Sequence, residues 1–99
     1  MTRFEMELVL NSLHAFGKVD RETQFMEALA YGMVFPKNYM ITVWALSVSD
    51  NKYALSIDLN RRTDEGLILV GKTPQTMSIA KIIQELEIYH HFIEGQVNV

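Results

Sequence analysis

The chain contains no cysteine. That removes disulfide frameworks, thiolate metal sites and cysteine nucleophiles together, and it suits a reducing compartment. Proline is scarce, with two residues, and the five glycines stand singly at positions 17, 32, 66, 71 and 95, so there is no glycine-rich phosphate cradle or nucleotide fingerprint. Basic residues are outnumbered, nine Lys plus Arg against twelve Asp plus Glu, for a formal net charge of −3. This is the wrong sign for a domain that holds nucleic acid mainly by neutralising phosphates. No apolar run approaches the length of a membrane span, and the opening Met-Thr-Arg-Phe-Glu-Met-Glu carries charges where a signal peptide needs a continuous apolar stretch. A cytoplasmic location is the expectation.

What is present suits one compact α+β domain over residues 1–99, 48% hydrophobic and 21% charged. A chain of this size buries roughly 60 to 68% of its unfolded surface, enough for a core without staples. The strongest pattern covers residues 38–59, where two alternating apolar runs meet at Asp50-Asn51, as in a β-hairpin with a two-residue turn. Pairing Ser49 with Lys52 and counting outward sets Leu46 against Leu55, Trp44 against Ile57 and Thr42 against Leu59 on a face expected to be buried. The other face then carries Tyr39, Ile41, Val43 and Ala45.

Helices are expected on both sides of this sheet in sequence. Thr2 with Glu5 forms a capping box, followed by Met6, Val9, Leu10, Leu13 and Phe16 at helical spacing, with Gly17 as a stop. A strand reading through Phe4, Met6, Leu8 and Leu10 competes and lacks the cap. Asp20 can cap a second helix with Phe25, Met26, Leu29 and Met33 along one side, ended before Pro36. Residues 67–70 form a third strand closed by Gly71. A long helix follows, starting near Thr73-Pro74 or Thr76 with the stripe Ile79, Ile82, Ile83, Leu86, Tyr89 and Ile93, and closing at Gly95. The expected architecture is two N-terminal helices, a three-stranded antiparallel meander sheet, and a long C-terminal helix laid over the Trp44 face.

Catalysis needs converging groups, and no base beside a nucleophile or paired carboxylates in an apolar setting can be found, so a non-enzyme is expected. Glu87 with His91 and His90 with Glu94 stand four apart on the last helix and could hold zinc with a third ligand such as His14. The same spacing is ordinary for solvated helix pairs, so no metal or cofactor is assigned. Of the six methionines, Met1 is the initiator and Met6, Met26 and Met33 fall at core spacing, which leaves Met40 and Met77 as surface candidates.

Two functional readings remain. The first is a small protein-interaction module, an adaptor, an inhibitor or a homodimer, using an open sheet face at Tyr39, Ile41 and Val43 or the edge of the third strand. The second is a nucleic-acid-binding module with a local basic patch at Arg61, Arg62 and Lys72, a pair of arginines being able to grip phosphate. Asp64 and Glu65 follow the arginines and neutralise them. The order helix, three strands, helix is that of double-stranded RNA-binding domains, yet those carry a lysine cluster where this chain reads Lys72-Thr73-Pro74-Gln75-Thr76-Met77-Ser78. Order alone assigns no family.

Overall fold

A computed structural model describes residues 1–16, 18–25 and 28–97. Helix α1 spans Arg3–Ser12, strands β1 to β5 span Val19–Phe25, Ala28–Val34, Tyr39–Ser49, Lys52–Thr63 and Gly66–Lys72, and helix α2 spans Ile79–Val97. The strands form one antiparallel meander in the order β1-β2-β3-β4-β5. Both helices bury their stripes against the same face of this sheet, in a core built on Met6, Leu13, Ile41, Val43, Ile57, Ile82 and Leu86.

The start of α1 follows its capping box. The Thr2 hydroxyl accepts from the Glu5 amide at 3.2 Å, and the Glu5 carboxylate accepts from the Thr2 amide at 3.0 Å. These bonds hold the Glu5 carboxyl below its usual range. Met6, Val9 and Leu10 are then buried, as their spacing requires. The backbone ahead of the helix is tied to the β3–β4 turn, where Met1 and Tyr53 exchange hydrogen bonds and the Arg3 amide donates to Asn51 Oδ1.

The second helix is not formed: residues 19–25 and 28–34 are strands β1 and β2. A spacing of four keeps residues on one side of a helix and equally on one face of a strand, so Leu29 and Met33 share a face in either geometry. Pairing with β3 decides the matter, setting Leu29 opposite Ala45, Tyr31 opposite Val43 and Met33 opposite Ile41. The proposed stop at Gly17 and the proposed core residue Met26 lie outside the described residues. With five strands after one N-terminal helix, the order shared with RNA-binding domains is absent.

The hairpin turn falls at Asp50-Asn51, with Asn51 at φ 51 in the left-handed region that asparagine tolerates. Ser49 pairs with Lys52, but Ser47 then pairs with Tyr53, so Val48 is an extra residue in a β-bulge. That one residue exchanges the faces. Ile41 stands opposite Leu59, Val43 opposite Ile57 and Ala45 opposite Leu55, and these pairs form the covered face. Trp44 lies on the uncovered face, in register between the small buried residues Ala30 and Ser56, and its indole N–H donates to Asp58 Oδ2 at 3.1 Å. Helix α2 therefore covers the Ile41 and Val43 face, not the Trp44 face.

The connection from β5 to α2 replaces the expected Thr73 cap. Thr73 is buried and continues the edge of β4, its amide donating to the Ile57 carbonyl and its Oγ1 accepting from the Ile57 amide, both at 2.9 Å. Ser78 provides the cap, its Oγ accepting from the Lys81 amide at 3.3 Å. The helix runs through Gly95 to Val97.

Tyr89 of α2 lies against Gly71, where a Cβ would stand 3.1 Å from the phenol oxygen. Burial, with the negative charges of Glu85 and Asp58, raises the Tyr89 phenol above its ordinary value of 10.0. The folded chain thus keeps this proton at a pH where the unfolded chain loses it. The stability this contributes is complete below pH 10 and falls as pH rises through the folded value. Thermal melts between roughly pH 9 and 11 are expected to decline less steeply in Tyr89→Phe than in the parent.

Candidate functional site

The expected open stripe is closed. Tyr39, Ile41 and Val43 are buried in the core under the helices, and the Tyr39 ring meets Phe92 edge-on at 6.0 Å. The correction follows from the bulge at Val48, which turned this side of β3 inward. These three residues hold the fold together and offer no surface to a partner.

The basic residues are divided. Arg61 pairs in register with Tyr39, its guanidinium lies 5.2 Å from that ring centre, and its Nε donates to the Lys37 carbonyl at 3.3 Å. Arg62 follows it in the same strand and so projects from the opposite face. Lys72 stands beside Asp58 on the Arg62 face, five positions along β5 from Leu67, the partner of Arg62. That separation is roughly 17 Å at strand rise, too long for one phosphate to bridge. Arg61 and Arg62 make no clamp.

On α2 the imidazole of His90 sits edge-on between Phe16 and Phe35, each ring centre 5.8 Å away, and its Nδ1 lies 2.8 Å from Glu94 Oε1. Among the described residues no group of three His, Cys, Asp or Glu converges as a metal would require. Glu87 and His91 instead line a shallow open concavity on the outer side of α2 with Gln84, Ile88 and Phe92. Met6 and Met33 are core residues, while Met40 is half-buried on the Trp44 face and Met77 is exposed.

The feature that stands apart is β5. Leu67, Ile68, Leu69 and Val70 are exposed by 56, 50, 56 and 43%, in sequence and on both faces of the strand. The strand is the last in the sheet, so one side of its backbone has no neighbouring strand. Natural proteins guard such edges with charge, proline or covering elements. The other edge fits that rule, since β1 reads Val-Asp-Arg-Glu-Thr-Gln-Phe and carries an irregularity between Val19 and Arg21. Strand β5 reads Gly-Leu-Ile-Leu-Val-Gly-Lys, has no charge before Lys72, and carries its own irregularity at Val70, the extra residue between Leu69 opposite Asn60 and Gly71 opposite Leu59. The sequence located this strand; its exposure could not be read there, because four apolar residues in a row resemble a strand buried on both faces.

No protein family matches the chain, and neither any curated protein nor any solved structure matches it. Among the described residues no helix is long and apolar enough to cross a membrane.

Proposed function

We propose that the chain is a small cytoplasmic protein-interaction module, without catalytic chemistry, that engages its partner by strand addition along β5. The observation that carries this reading is the run of exposed apolar residues 67–70 on the last strand of the sheet, uncharged as far as Lys72. Backbone N–H and C=O groups on that edge supply affinity to any extended segment, and alternate side chains supply selectivity. Burying these four side chains removes apolar surface from water and adds to that affinity.

The reading is tested by tagging the full chain, recovering its complexes from the native host under cross-linking, and comparing two variants. Leu69→Lys places a charge in the middle of β5, and Ile88→Lys places one on the exposed side of α2. Both positions are exposed, so far-UV circular dichroism stays that of the parent. Complexes, including those with a second copy, are expected to vanish with Leu69→Lys and persist with Ile88→Lys. Complexes indifferent to Leu69→Lys, or none with the parent, overturn the reading.

A further inference from the structure

The face of the sheet away from the helices is corrugated. On β3, Met40, Trp44 and Leu46 are half-buried, while their register partners on β4, Asn60, Ser56 and Ala54, are smaller and buried. On the other side of β3 stand Ala30 and Gly32 of β2, again small and buried. Beyond β4, Leu67 and Leu69 of β5 are each 56% exposed on this same face. Low and high strands thus alternate from β2 to β5, with a repeat of two strands, roughly 10 Å. Among the described residues nothing covers this face, since both helices pack on the other.

We infer that a second copy covers it, sheet face on sheet face, about a two-fold axis that lies between the two sheets, parallel to the strands and midway between β3 and β4. Such an axis exchanges β3 with β4 and β2 with β5 while keeping the level along the strands, so every high strand lies over a low one. Each β3 residue then meets the other copy of its own register partner: Trp44 over Ser56, Leu46 over Ala54 and Met40 over Asn60. To the sides, Leu69 lies over Val34, itself 53% exposed, and Lys72 lies over Gly32, where no side chain obstructs it. An axis along β3 would instead set Trp44 on Trp44 and high strand on high strand. Asp58 enters the contact with one oxygen bonded to the Trp44 indole N–H and the other buried without a partner, and Lys72, beside it in register, is the cation that compensates its loss of water. Four strands of each copy overlap, about 500 Å² in projection and about 1,000 Å² for the pair, the threshold of a specific interface and the size of a weak dimer. The outer edge of β5 stays open, so this contact stands beside strand addition and does not rest on it.

The test is the mass of the full chain by sedimentation and light scattering over a concentration series, read together with the emission of Trp44, the sole tryptophan. A dimer in the micromolar range is expected, with Trp44 emission moving to shorter wavelength and its quenching by iodide falling along the same concentration curve. Strand addition on β5, two strands away, leaves both signals unchanged. Val34→Lys and Leu69→Glu fix the register. Both positions are exposed in the single copy, so far-UV circular dichroism stays that of the parent. Within one copy they stand three strands apart, roughly 14 Å and beyond the screening length in physiological salt, so they couple only across the two copies. Each alone is expected to weaken the dimer on the order of tenfold by setting a charge against an apolar side chain. Together they place lysine over glutamate twice, and the loss is expected to be smaller than for either alone. Ile88→Lys, on the outer side of α2, is expected to leave the dimer intact. A monomer at every concentration, a dimer that leaves Trp44 unchanged, or losses that simply add in the double variant would overturn the inference. A monomer that captures another host protein through β5 removes the second copy and leaves the strand-addition reading standing; a monomer that captures nothing removes both.

Discussion

Replacing Val43 with glutamate is expected to unfold the protein, with loss of the cooperative thermal transition and of near-ultraviolet dichroism at neutral pH. Val43 has no exposure and stands in register between Tyr31 and Ile57. A carboxylate there is removed from water with no partner, costing several kcal/mol against a stability of about 5–15 kcal/mol for a domain of this size. The neighbouring residue supplies the control. Thr42 is half-buried on the opposite face and pairs in register with Asp58, so Thr42→Lys places a cation near a carboxylate and should leave the melt within a few degrees of the parent. If Thr42→Lys unfolds the chain and Val43→Glu does not, the two faces have been assigned the wrong way round.

Thr73→Val is expected to cost about 1–3 kcal/mol although the side chains have similar shape. The Thr73 hydroxyl is the acceptor for the Ile57 amide, and valine leaves that buried N–H without one. The melting temperature should fall by about 4–8 °C for each kcal/mol lost. Amide exchange at Ile57 should accelerate in step, while Thr73→Ser keeps the acceptor and restores most of the protection. Equal losses in valine and serine variants would assign the cost to packing of the Thr73 methyl group instead.

Local signals were legible wherever a chemical device stood at a fixed offset. The capping box at Thr2 and Glu5, the turn at Asp50-Asn51 and the stripe from Ile79 to Ile93 all appear in the structure. Two kinds of information were not legible. A bulge adds one residue without any necessary change in composition, so Val48 could not be told from its neighbours, and every facing pair beyond it moved by one. The spacing of four that joins Leu29 to Met33 satisfies both periods, and only tertiary pairing with β3 selects the strand. The candidate site suffered from both. Tyr39, Ile41 and Val43 had the right alternation for a face and were placed on the wrong one, whereas residues 67–70 had the right strand and no sign of exposure.

The ties between the beginning of the chain and the turn at Asn51 bear on how the molecule is assembled in time. Every strand pairs with its sequence neighbour, so the sheet can grow hairpin by hairpin with short loop closures. Helix α1 cannot share in that economy, because the surface that buries Met6 and Leu10 includes β4, made some fifty residues later. A ten-residue helix is marginal alone in water, and its reciprocal cap lowers the cost of staying helical during the wait. The surface on which α1 docks is thus complete only once the β3–β4 hairpin is in place.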